Sequence, residues 1–145
     1  MAALRPPRRQ AGFTLIELMI VLLIIALVAA LAVPQLTQSR KSGHEVSAIG
    51  SLRSIKTSQE RYRQLRGRFG TVADLVAMGL LDESFSGPRS GYVFASPSAP
   101  TTTGFEVTAE PMNAQAGDRY FYLNASGVVR FSTAGTADAT SAPIR

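Results

Sequence analysis

Apolar and polar positions divide the chain into three stretches with different periods. The first, Phe13 to Val33 (FTLIELMIVLLIIALVAALAV), is one apolar run whose only polar members are Thr14 and Glu17. At 1.5 Å per residue a helix over this run reaches about 32 Å, close to the hydrocarbon thickness of a bilayer, so it predicts a single membrane span. From Gln35 to about Arg66 the apolar residues Val46, Ile49, Leu52, Ile55, Tyr62 and Leu65 recur mostly at steps of three or its multiples, which predicts one stripe of an amphipathic helix. Gly43 and Gly50 weaken that helix, and Gly67 and Gly70 supply its stop signal. Pro34 lies between the two stretches, where its missing N–H and its clash with the preceding turn predict a break or kink.

Beyond the helix, Thr71 to Asp82 predicts a short second helix, with Thr71 and Asp74 spaced as a capping box and Gly79 closing it before Leu80 and Leu81 turn inward. Ser84 to Gly91 reads as a loop. The period then becomes strand-like in four short runs, Gly91–Ala95, Phe105–Ala109, Arg119–Leu123 and Val128–Ser132, rich in β-branched and aromatic residues. Asn124 to Gly127 suits a hairpin between the last two. In the third run Phe121 and Leu123 share one face and Tyr120 and Tyr122 the other, so one pair can bury against the helical stripe. Pro97 to Gly104 and the tail from Thr133 to Arg145 read as surface loop and coat. The expected architecture is α+β: a long N-terminal helix packed on a four-stranded antiparallel sheet.

Charge sharpens the picture at two places. The chain carries 15 Lys and Arg against 10 Asp and Glu, but Arg5, Arg8 and Arg9 precede the apolar run. The helix holds the main cluster, Arg40, Lys41, Arg53, Lys56, Arg61, Arg63, Arg66 and Arg68 against Glu45 and Glu60. A solvated face balanced by acids of neighbouring copies is the preferred reading of that cluster, and a nucleic-acid contact the lesser one, since only Tyr62 and Phe69 lie nearby as aromatics. No cysteine is present, which excludes a disulfide framework. His44, the sole histidine, reads as a solvent-exposed helical residue with no second metal ligand. No nucleophile elbow, phosphate-cradling loop or zinc-protease motif occurs, so no catalytic set, metal or cofactor is expected. Asn124-Ala125-Ser126 matches a glycosylation acceptor, but a hairpin turn accounts for it; the hydroxyls from Ser96 to Thr103 leave O-linked glycan open.

Glu17 is the residue most in need of a reason. An acid at the centre of a spanning helix costs about 2.5–3.5 kcal/mol, less near an end, and such residues usually have a partner. A cut between Gly12 and Phe13 would supply one, a charged α-amino group four residues before Glu17. A secretory signal peptide also begins basic and apolar, but its core is shorter and carries no acid.

The run Arg5, Arg8, Arg9, Gly12, Phe13, Thr14, Leu15, Ile16, Glu17, with Pro34 as residue 22 after the cut, closely resembles the type IV prepilin family over roughly the first 35 residues. The resemblance implies a leader over residues 1–12 removed by a membrane prepilin peptidase, which N-methylates Phe13, and an assembly segment over residues 13–33. It implies a head domain over residues 34–145, outside the inner membrane, and polymerisation of identical subunits on an inner-membrane platform into a surface pilus for motility, adhesion or DNA uptake. It also implies that Glu17 pairs with the Phe13 amine of a neighbouring subunit. Within the same superfamily, a type II secretion pseudopilin or a minor pilin shares these features. Major pseudopilins usually add an acidic calcium loop near the C-terminus, where this chain has a single Asp138, which favours the pilus reading. A membrane-anchored binding module is the reading from a different class.

Overall fold

The computed structural model describes residues 12–144, so Arg5, Arg8 and Arg9 of the expected leader lie outside the described residues. Helix α1 spans Leu15–Arg66. The chain divides into two compact units, Met1–Leu36 and Thr37–Arg145.

In the first unit every described residue is exposed and the side chains are almost wholly apolar. This is the one helix, among the described residues, long and apolar enough to cross a membrane. Of the break or kink expected at Pro34, no break occurs: the helix is continuous through that position. The ring fixes φ near the helical value, so its loss is limited to one backbone donor and local crowding.

In the second unit α1 buries Glu45, Ala48, Leu52, Ile55, Gln59 and Tyr62, at alternating steps of three and four. That stripe corrects the expected one. Val46 and Leu65 are 67% and 61% exposed, while Glu45 and Gln59 face inward. Ser51 and Ser58 are buried as well, and the Ser58 hydroxyl donates to the Leu80 carbonyl at 2.8 Å. Gln59 is wholly buried because its amide matches the exit of the helix: Nε2 donates to the Gly70 carbonyl at 2.5 Å and Oε1 accepts the Gly70 N–H at 3.0 Å.

Helix α2 is Val72–Ala77, and its capping box forms as expected: the Thr71 hydroxyl accepts from Asp74 N and the Asp74 carboxylate accepts from Thr71 N. Gly79, at φ +66°, closes it with paired bonds, Gly79 N to Val76 O and Leu80 N to Leu75 O. A 3₁₀ turn, Glu83–Ser86, follows and seats Phe85 against Phe94.

The sheet is an antiparallel meander in the order β1-β2-β3-β4-β5, with β1 Tyr92–Ala95, β2 Glu106–Pro111, β3 Tyr120–Asn124, β4 Arg130–Ser132 and β5 Ala142–Pro143. Five strands form instead of four. The fifth comes from the tail expected to be coat: Ala142 pairs Phe131, Pro143 pairs Arg130, and Ile144 N donates to Val129 O. Two residues without β-branching carry no strand period, and Pro fits there because β5 is an edge. The hairpin at Asn124–Gly127 forms, with Gly127 at φ +77°. Phe121 and Leu123 are fully buried and join Leu52, Ile55 and Tyr62 in one apolar cluster. Burial of such side chains, at about 25 cal/mol per Å², is the main stabilising term for this head. Tyr122 is also buried, but on the opposite face, beside Thr108 and Ala137.

Candidate assembly site

The sequence places its site residues at Gly12, Phe13, Glu17 and Pro34. The structure collects the first three at the start of α1, where Gly12 to Thr14 precede the helix and Glu17 sits in its first turn. Phe13 is 82% exposed, and space around Gly12 is open. Pro34 lies far along the same helix, within the apolar unit. Glu17 makes no ion pair among the described residues, so its charge has no compensating partner there.

One member of this site escaped the sequence reading. The Thr14 hydroxyl accepts the Glu17 N–H at 3.2 Å, and Thr14 O accepts Leu18 N, which makes Thr14 the N-cap of α1. Its signal is the spacing Thr-x-x-Glu, the same pattern recognised at Thr71. Capping fixes the first turn, and Glu17 complements the positive end of the helix dipole. Apart from Thr14, the residues around Glu17 in this turn are apolar and exposed.

A second cluster ties α1 to the β2–β3 connection. The Glu45 carboxylate accepts from Arg119 Nε at 2.7 Å and from Asp118 N at 3.0 Å, with Arg119 Nη2 in ion-pair contact at 2.7 Å. Lys41 pairs with Asp118 at 2.6 Å, and His44 Nδ1 lies 3.1 Å from the Ala116 carbonyl. His44 is half-buried and hydrogen-bonded, which corrects its reading as an exposed residue. These contacts saturate one another; their chemistry is structural. Among the described residues no group of three metal-ligating side chains occurs.

A long apolar N-terminal helix and a small α+β head built on an antiparallel sheet are the parts of the pilin fold. Residues 7–33 match the prokaryotic N-terminal methylation motif. The type II secretion system core protein G of Aeromonas hydrophila is 30% identical over 105 residues, covering 69% of this chain and 73% of that protein. The type IV major pilin protein PilA of Myxococcus xanthus is 34% identical over 84 residues, covering 58% of this chain and 36% of that pilin. The type IV wide pilus major component PilA4 of Thermus thermophilus is 36% identical over 74 residues, covering 50% of this chain and 56% of the relative. The chain belongs to the type IV pilin-like family.

Proposed function

We propose that this chain is a structural, non-enzymatic subunit of a filament, held in the inner membrane as a single-span precursor and polymerised through the first half of α1. The observation that carries the reading is the wholly exposed apolar surface of residues 15–36 with one acid, Glu17, in its first turn. In lipid that surface needs no further partner; in a filament identical helices replace the lipid, and most of the hydrophobic stabilisation is retained. Prepilin peptidase cuts between Gly12 and Phe13 and methylates Phe13. The new amine then pairs with Glu17 of a neighbour, setting register. Pro34, by freeing one carbonyl, lets the helix bend where its lipid-exposed half ends.

Two machines use such subunits, and the extent of similarity favours one. The match to core protein G of Aeromonas hydrophila covers about two thirds or more of both chains and runs on past the helix into the head, whereas the match to the Myxococcus pilin covers 36% of that protein. This supports a secretion pseudopilus. The surface pilus is the second reading, supported by identities of 34% and 36% to pilins over their shared segments.

Mass spectrometry of the chain purified from membranes tests processing: the expected N-terminus is a Phe13 bearing one added methyl group. A deletion strain tests the machine. Loss of protein export with surface fibres intact supports the pseudopilus, and loss of fibres with export intact supports the pilus. Unprocessed chain and no change in either would defeat the filament reading.

A further inference from the structure

The charges of the head are segregated. Residues 37–68, the second half of α1 and its exit, carry eight basic side chains against two acids, and one of those acids, Glu45, is buried against Arg119. Residues 69–144 carry seven acids against three bases. Local pairing does not cancel this segregation. Arg53 and Arg61 lie two turns apart on one exposed stripe of α1, with Thr57 between them, and neither makes an ion pair among the described residues. On the other side Glu83 is exposed and makes no ion pair among the described residues, and its neighbour Asp82, 72% exposed, accepts the Ser84 N–H at 2.9 Å and has one long ionic contact of 3.8 Å to Arg89.

Shape adds to charge at Arg61. It lines a groove of about 360 Å³ together with Ser54, Thr57, Ser58, Gly79 and Leu80. The three hydroxyls already donate, to Gly50 O, Arg53 O and Leu80 O, so the guanidinium is the groove's free donor set. A carboxylate is the group that fits a concave site whose unused donors are all cationic.

We propose that the Arg53–Arg61 stripe, centred on the Arg61 groove, docks the acidic half of a second copy of this chain, with the Asp82–Glu83 turn as its counterpart. The contact is heterologous: the basic face of each copy meets the acidic turn of the next, so it propagates along a filament and does not close a dimer. The inference rests on the filament reading. A second copy is favoured over other anionic partners because the complementary charge is built into the same chain and, in a filament, arrives at high local concentration.

The test uses filaments assembled in cells from the full chain. Arg53→Lys with Arg61→Lys keeps the charges and adds primary amines that a zero-length carbodiimide joins to carboxylates in contact. The expected result is a ladder of linked subunits stronger than in wild-type filaments, with peptides joining position 61 to the 82–83 segment. Adding Asp82→Asn and Glu83→Gln should remove that gain. Arg53→Glu with Arg61→Glu should lower filament yield several-fold and make the remaining filaments fall apart at lower salt. Filaments that form normally yet show no gain in the ladder overturn this contact while leaving the filament reading intact. Duplex DNA held by wild-type filaments and released by Arg53→Ala with Arg61→Ala, again with no gain in the ladder, would reassign the stripe to nucleic acid. A chain never recovered in filaments overturns both readings.

Discussion

The Glu45 carboxylate and the Arg119 guanidinium, 74 residues apart in the chain, meet at 2.7 Å. Glu45 is 5% exposed, so it depends on Arg119 and on the Asp118 N–H for nearly all its compensation. Arg119 is itself 36% exposed, which lets water soften the loss of either partner. Arg119→Ala should therefore destabilise the head by about 2 kcal/mol, below the 3–5 kcal/mol typical of a fully buried pair. Glu45→Met with Arg119→Met should recover part of that loss, because the two apolar side chains leave no orphaned charge. Urea unfolding of the detergent-solubilised chain measures both, and an unchanged midpoint for Arg119→Ala would deny the tie any stabilising role.

Tyr92 and Gly117 form the floor beneath that tie. The Tyr92 hydroxyl donates to the Arg119 carbonyl at 2.8 Å, and a Cβ at Gly117 would collide with the hydroxyl and lie 2.9 Å from Cζ. Desolvation by burial pushes the Tyr92 phenol well above its ordinary value of 10.0, which keeps it neutral and donating at any physiological pH. Gly117→Ala should cost about 1–3 kcal/mol by overpacking, while Tyr92→Phe should cost about 1 kcal/mol for one hydrogen bond. If Tyr92→Phe with Gly117→Ala is no worse than Gly117→Ala alone in the same unfolding assay, the hydroxyl is the colliding group.

Local chemistry was legible in the sequence, and long-range compensation was not. The Thr71–Asp74 cap, the Gly79 stop, the Asn124–Gly127 hairpin and the four main strands follow from spacings of a few residues, and they form within one or two positions of expectation. The inward face of α1 is hidden in the sequence because Glu45 and Gln59 look like solvent residues until Arg119 and Gly70, brought up by the fold, satisfy them. β5 was invisible for the same reason, since Ala142 and Pro143 become a strand only because β4 offers an edge. The Thr14 cap beside Glu17 is legible in the same way, from the Thr-x-x-Glu spacing.

Acid should weaken the head through its capped and hydrogen-bonded carboxylates. The Thr71 N–H and hydroxyl hold the Asp74 carboxyl below its ordinary 3.8, and the Ser98 and Tyr122 hydroxyls hold Glu106 below 4.5. A depressed folded pKa stabilises fully above the unfolded value and is lost as pH falls through the folded one. Stability should be level down to about pH 5 and fall progressively below about pH 4. Thr71→Ala should cost about 1 kcal/mol at neutral pH, and should flatten the acid limb that Asp74 contributes. Thermal melts of wild type and Thr71→Ala at stepped pH measure this, and parallel acid limbs would separate Asp74 from the effect.

Glu17 offers the sharpest test, because its two roles predict opposite signs. As part of an anchor it is a defect, and Glu17→Val should improve membrane insertion, by up to about 3 kcal/mol at mid-helix depth and less near the end where it lies. As half of an intersubunit pair it is required, and the same substitution should strongly reduce filaments while leaving the chain cleaved, inserted and folded. Gly12→Val separates the steps by blocking cleavage, so the Phe13 amine never forms and filaments fail even with Glu17 present. Fractionation, gel mobility and electron microscopy of the two variants read all three steps. Abundant filaments from Glu17→Val would show that burial of the apolar half of α1 drives assembly unaided, and that its single charge sets nothing.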